Sequence, residues 1–525
     1  MKTLLLSLML LFTLGCQHQA KAPKQTLRIN ITADPISFDP RKGGDACSSS
    51  VLLFLFDGLY ELGKQGPVPN LAKKTEISDD KCIYIFTLKE SFWSNGDLVS
   101  AYDFAHSWKK MLDPHFETLF AYELFPIKNA KKAKDGLISI NKVGIEALDE
   151  KRLKVTLEHP VPYFLELLTH VIFYPVHHKL DSKNDDQWAI PSKNMYVTNG
   201  PFLLEQYEDN HKIILKKNPN YHNSKEIKLE HILISIVQSA TTEFDLFAKG
   251  ELDWTGFPMS SLPYEMVNNG QKQFQLYSLC SPSVAFMAFN TKTHLLSNTH
   301  LRKALTLAID RKDIIHALEM TEEEIATSFL PPKIQLQKEP YFKNCDLPKA
   351  NEHLLIGLQE LGIEKKEIEN IKLCFATTEK SDKIAQIVQQ QWKKHLGLDI
   401  QLKRYEWKVL LDEMGTESVP VFLVTWIAFF NDPIYNLELF KDKDNSLNST
   451  RWYSSTYETL INMSDYCKDP QKRKMILHIA EQKLMDAMPI CPLHYGRDYY
   501  FKNPHLKGVE FSPMDDVIFK RAYFE

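Results

Sequence analysis

The stretch that most constrains this chain runs from Phe92 to Pro114: Phe92-Trp93-Ser94-Asn95-Gly96-Asp97, Ser100-Ala101-Tyr102-Asp103-Phe104 and Ser107-Trp108-Lys109-Lys110-Met111-Leu112-Asp113-Pro114. It reads as the end of a strand, a turn and a helix. Just upstream, Ile83, Ile85 and Thr87 alternate with Tyr84, Phe86 and Leu88, a β-branched and aromatic run that suits a pleated surface. Asn95-Gly96 supplies the turn. Ser100 caps the helix that follows, with Asp103 three residues on completing a capping box, and Phe104, Trp108, Met111 and Leu112 fall on one face. Pro114 stops the helix by keeping Asp113 out of the α region. On this reading Asp97 and Asp103 are turn and cap residues rather than catalytic carboxylates.

A chain of 525 residues holds two or three cores of ordinary size. With 25% charged residues and a net charge of -4, it has no general attraction for nucleic acid or anionic lipid, so no nucleic-acid partner is expected. Neither a Gly-x-Gly-x-x-Gly nor a Gly-Lys-Ser/Thr phosphate cradle stands in a suitable setting. No Cys-x-x-Cys or His-Glu-x-x-His occurs, and His177-His178 reads as a surface or loop pair, so no metal site and no cofactor are expected. Gly-x-Ser-x-Gly and a Ser-x-x-Lys in context are also missing, which leaves a hydrolase reading without a motif.

Met1-Lys2 and the apolar run Leu4 to Phe12 have the charged start and short apolar core of a signal peptide, too short to span a membrane permanently. The run ends at Leu14-Gly15-Cys16, which resembles a bacterial lipoprotein cleavage site. That implies a signal peptide over 1–15, lipidation of Cys16 and a polar tether over 16–26. A secreted protein cut near Ala20 or Ala22 is the alternative. Seven further cysteines, at 47, 82, 280, 345, 374, 467 and 491, leave at least one unpaired in a monomer. Cys82 and Cys374 lie in strand-like runs and read as buried small apolar residues.

The order Trp-x-Asn-Gly-x-x-x-Ser-Ala-x-Asp-Phe-x-x-Ser-Trp-x-Lys over 93–109 closely resembles the signature of the extracellular solute-binding proteins that serve oligopeptide and dipeptide ABC importers. Further stretches carry the same resemblance: Phe38-Asp39-Pro40, Phe54 to Tyr60, Pro160-Val161-Pro162-Tyr163-Phe164, Thr198-Asn199-Gly200-Pro201, Asn218-Pro219-Asn220-Tyr221, and His300 to Arg311. Alternating helices and strands agree with an α/β protein. Trp392 to Leu398 ends a helix with Gly397 at a left-handed cap. The resemblance implies a two-lobed periplasmic-binding-protein (Venus-flytrap) fold of the class with an extra domain, with a hinge and a ligand site between the lobes. The implied division is a first lobe over 27–280 with an inserted subdomain around 48–195, a second lobe over 281–494, and a return to the first lobe over 495–525.

For function, the resemblance implies a substrate-binding lipoprotein that captures oligopeptides, passes them to ABC permease subunits and is held at the cell envelope, or periplasm, through its lipid alone, as a monomer and not an enzyme. The same fold taking another solute, such as a cell-wall (murein) peptide or a metal complex, is the alternative. A secreted hydrolase is a more distant one. The implied ligand residues are Asp45, Ala46 and Cys47 in the loop after Asp39-Pro40, with Gly44 beside them, then Trp407, and Thr425, Trp426, Ile427, Phe429, Asn431 and Asp432 in a ligand strand and its exit. In the oligopeptide-binding relatives an aspartate pairs with the peptide's α-ammonium at the position that Phe429 occupies here, and an arginine stands where this chain has Leu423. An enclosed ammonium without a partner is costly. Asp432 and Asp45 are the candidate substitutes, although Asp432 before Pro433 also reads as a turn residue.

Overall fold

The computed structural model describes residues 25–184, 187–191, 196–318, 324–442, 445 and 447–525. The expected signal peptide, Cys16 and most of the tether lie outside them. An N-terminal sheet sets Thr26–Ile31 parallel to His231–Ile236, with Lys212–Lys217 and Phe202–Glu208 added antiparallel. A second, fully antiparallel unit has the order Ala72–Ile77, Ile83–Leu88, Arg152–Thr156, Ile145–Ala147. Its strand Ile83–Leu88 shows the alternating burial that its sequence demands.

The Phe92–Pro114 stretch builds this antiparallel unit. Its helix is Ala101–Met111, and Asp103 Oδ2 accepts the Ser100 N–H at 2.7 Å and the Ser100 hydroxyl at 3.0 Å, the return half of a capping box. Asp103 also receives the indole N–H of Trp93 at 3.3 Å and holds His178 Nδ1 at 2.6 Å, while Asp97 holds His177 Nε2 at 2.8 Å. The two histidines are therefore braces between segments. His177 lies in a loop, as its reading expects, but is only 3% exposed, and it pairs with an aspartate 80 positions away.

A six-stranded sheet joins the two ends of the molecule, in the order Trp254–Gly256, Ile490–Lys502, Leu276–Phe289, Val421–Ile427, Lys372–Ala376, Gln401–Tyr405. Leu276–Phe289 and Ile490–Lys502 run antiparallel on both sides of a break in register, with Cys280 opposite Arg497 and Val284 opposite Tyr495. Between those pairs three residues, Ser281-Pro282-Ser283, face the single Gly496. A proline cannot donate to the ladder, and an added Cβ at Gly496 would stand 2.2 Å from Ser283 Oγ. The break therefore falls where the strands pass from pairing beside Trp254–Gly256 to pairing beside Val421–Ile427.

Helices cover the far end of this sheet. Thr299–Leu307 and Glu379–Leu396 are joined by the Trp392 indole N–H to Leu305 O at 2.8 Å, and Gly397 closes the second of them at φ 68°. In the His300–Arg311 motif the arginines are structural. Arg302 donates to Leu296 O and to Ala487 O at 2.6 Å, and Arg311 to Pro492 O at 2.7 Å. The other motifs brace the N-terminal end in the same way. Asn199 exchanges hydrogen bonds with the backbone of Asp57, whose carboxylate takes the Tyr221 hydroxyl at 2.6 Å and the Lys520 ammonium at 3.0 Å. Gly200 lies so close to the Leu55 backbone that a Cβ would be 2.4 Å from its carbonyl carbon.

The seven cysteines from Cys47 to Cys491 are all free thiols. Cys374 is buried as expected, but Cys82 is only half-buried, because it stands just before Ile83–Leu88 begins.

Candidate ligand-binding site

Three strands of the six-stranded sheet are mutually parallel: Lys372–Ala376 pairs in parallel with both Gln401–Tyr405 and Val421–Ile427. Their carboxyl ends therefore leave the sheet on one side, where α/β proteins gather ligand groups. Trp407 follows Gln401–Tyr405 at the start of the helix Trp407–Glu413 and is 47% exposed. Thr425, Ile427 and Phe429 are exposed at and beyond the end of Val421–Ile427.

The ligand strand has one open edge. Leu276–Phe289 pairs with it over its full length, from Val421 to Ile427, but Lys372–Ala376 pairs only with Val421 and Phe422. From Leu423 to Ile427 that second edge carries no strand among the described residues. Such an edge is a template for another extended main chain. Trp426 stands in this run, its ring 5.8 Å from Tyr435, and its buried indole N–H has no acceptor among the described residues.

At the N-terminal end, Asp45 caps the helix Ala46–Leu55 by accepting the Ser48 N–H at 3.0 Å. Ala46 and Cys47 thus open a helix rather than continuing a loop, and their N–H groups belong to its first turn, where helices favour negative charge. Cys47 Sγ lies 3.8 Å from Thr32 Oγ1. Asp45 Oδ2 is shielded from water and has no hydrogen-bond partner among the described residues.

Asp432 is already paired within the protein. Both of its oxygens accept from Arg473, at 2.6 and 3.0 Å, and Oδ1 also takes the Ile434 N–H at 2.9 Å. The side chain is turned toward the helix Pro470–Ala487, which carries Arg473. Its reading as a turn residue holds; its arginine partner had no signal in the local sequence.

Sequence reasoning also missed the groups that meet this segment from the antiparallel unit. Tyr163 stacks on Phe430 with ring centroids 4.2 Å apart and planes 13° apart, and Glu166 Oε1 accepts the Asn431 N–H at 2.8 Å. Burial pushes the Glu166 carboxyl above its ordinary range, opposed by that hydrogen bond and by His170. Nearby, Lys468 donates to Asp79 O at 3.1 Å. A cavity of about 320 Å³ lies along this seam, lined by Lys81, Pro162, Lys333, Arg473 and Lys474 among others; of the expected ligand residues it touches only Asn431.

No group of three or more His, Cys, Asp or Glu among the described residues is placed to hold a metal ion. The arrangement offers main-chain hydrogen bonding, aromatic surface and one unpartnered carboxylate oxygen.

Comparison with known proteins identifies the family. Residues 66–448 match the family described as "Bacterial extracellular solute-binding proteins, family 5 Middle". The chain is 36% identical over 540 residues to the oligopeptide-binding protein OppA of Bacillus subtilis (strain 168), covering 99% of each chain. It is similar to the crystal structure of a periplasmic oligopeptide-binding protein (OppAIV) from Borrelia burgdorferi, with a TM-score of 0.79 and 28% identity over 96% of this chain and 100% of that one. It is also similar to Listeria monocytogenes OppA bound to peptide, with a TM-score of 0.75 and 28% identity over 95% and 99% of the two chains. The fold is the two-lobed one of those periplasmic binders, and the chain belongs to family 5 of the bacterial extracellular solute-binding proteins.

Proposed function

We propose that this protein captures oligopeptides between its two lobes and delivers them to the permease of an ABC importer, binding without chemical turnover. The observation that carries the reading is the open edge of Leu423–Ile427. A bound peptide adds to that edge through main-chain hydrogen bonds, which are the same for every sequence, while Trp407, Trp426 and Phe429 offer broad aromatic contact. Asp45, Ala46 and Cys47 meet the ligand from the first lobe, with Thr425, Trp426, Ile427, Phe429 and Asn431 across from them. The lobes divide at the strand crossing around Ser281–Ser283 and Gly496, which supports limits of 27–280, with an insertion around 48–195, 281–494 and 495–525.

Calorimetry on the purified chain with an unblocked pentapeptide tests this, paired with small-angle scattering. Saturable binding, a more compact particle with ligand and recovery of the peptide intact are the expected results. Hydrolysis of the peptide, or an unchanged radius at saturation, would sink the reading.

Cys16 carries the anchor to the membrane in this proposal, and no helix among the described residues is long and apolar enough to cross one. One acyl chain holds only marginally, so stable attachment requires several. Cys16→Ser is expected to release the protein or block its processing. A variant that remains with the membrane after a carbonate wash would count against lipidation.

A further inference from the structure

Beyond Ile427 the chain leaves the sheet, and nearly every residue that follows is fastened to something different. The Ala428 N–H donates to Pro282 O at 2.8 Å, beside the strand crossing. Phe430 is buried between the stacked ring of Tyr163 and the edge-on ring of Tyr435, whose centroid lies 4.8 Å away. The Asn431 N–H is taken by Glu166, and Asp432 by Arg473. Phe429 projects, 56% exposed, its ring edge-on to Tyr435 with centroids 5.6 Å apart, because its neighbours on both sides are fixed. Pro282, Tyr435 and Arg473 come from the same end of the molecule as the ligand strand. Tyr163 and Glu166 come from the antiparallel unit, at the start and on the surface of the short helix Phe164–Leu167.

We propose that Tyr163 and Glu166 are positioning residues for the ligand strand, through which the antiparallel unit sets the strength of ligand binding without touching the ligand. This rests on the peptide reading of the site. A carboxylate accepting a backbone N–H is a charge-assisted bond, and a near-parallel ring pair fixes orientation as well as distance. Together they hold residues 430 and 431 against the antiparallel unit. Order already present in the free protein is order the ligand does not have to impose, so it strengthens binding chiefly by slowing release.

The test uses the whole chain, with Glu166→Ala and Tyr163→Ala set against the conservative Glu166→Gln and Tyr163→Phe. Without ligand, hydrogen exchange at the Asn431 amide is expected to quicken at least tenfold in Glu166→Ala and to stay slow in Glu166→Gln, whose amide oxygen still accepts. Affinity for one unblocked pentapeptide is expected to fall about tenfold in each Ala variant, mostly in the dissociation rate, and to return with the conservative pair. Unchanged exchange at Asn431, or equal or tighter peptide binding by the Ala variants, would overturn the proposal. Wild-type protein that binds no peptide would defeat the peptide reading instead, and the exchange measurement, which needs no ligand, still decides whether Glu166 anchors the segment.

Discussion

Arg41→Met is expected to destabilise the folded protein by about 3–5 kcal/mol, the cost of breaking a buried ion pair from one side. Arg41 is wholly buried and bridges two carboxylates that are themselves buried. It donates to Asp39 at 2.6 and 3.0 Å and to Asp181 at 2.8 and 2.9 Å. Asp181 also receives the Trp188 indole N–H at 2.9 Å and holds His106 at 2.5 Å. Burial alone would raise the Asp181 carboxyl, but the hydrogen bonds from His106 and Arg41 overcome it and hold the group well below the usual carboxylate range. A carboxyl depressed on folding contributes stability above its unfolded value, near pH 4, and that contribution is lost as pH falls toward the folded one. The gap between wild type and Arg41→Met in urea midpoint should therefore be widest at neutral pH and narrow in acid. Adding Asp39→Asn and Asp181→Asn to Arg41→Met removes the orphaned charges and should recover part of the loss. A gap below about 1 kcal/mol at pH 7 would show that water replaces the guanidinium at little cost.

The local sequence carried whatever is decided within a few residues. The Ser100–Asp103 cap, the stop after Met111 and the left-handed Gly397 all follow from neighbours in the chain, and the structure has each of them. What it could not carry were pairings across the fold. His177 and His178 look like any loop histidines until the turn and helix that present Asp97 and Asp103 are brought beside them. Asp432 was legible as a turn residue, since Pro433 follows it, whereas its ion pair depends on where Pro470–Ala487 packs. Asn431 and Glu166 are 265 positions apart, and no periodicity joins them. Cys82 shows a subtler limit. Its run alternates like a strand, but the ladder begins one residue later, and that single step leaves the thiol half-buried. The open edge of Leu423–Ile427 was illegible for a related reason, since strand length can be read from composition but a partner's length cannot.

Phe429→Asp is expected to raise the preference for a free over an N-acetylated peptide by tenfold or more. The resemblance to the oligopeptide binders implies an aspartate for the α-ammonium at this position, where the present chain offers an exposed aromatic ring. With Asp432 engaged by Arg473 and Glu166 Oε1 by the Asn431 N–H, no carboxylate among the described residues replaces an aspartate at 429 itself, and acetylation should change wild-type affinity by less than about fivefold. A carboxylate at 429 adds a charge-assisted hydrogen bond of about 1.5–3 kcal/mol, and each 1.4 kcal/mol is a factor of ten. The neighbours that fix Phe429 are unchanged by the substitution, since Ala428 is held through its backbone and Phe430 through Tyr163, so the new carboxylate should project where the ring does now. Phe429→Asn, similar in size to the aspartate but uncharged, separates charge from loss of the ring and should show no gain. Calorimetry with one peptide in both forms measures all three proteins. A wild-type loss above about 2 kcal/mol on acetylation would mean that the amine is already held. The carboxylate to remove would then be Asp45, whose Oδ2 has no partner among the described residues, and Asp45→Asn should abolish the discrimination while leaving affinity for the acetylated peptide in place.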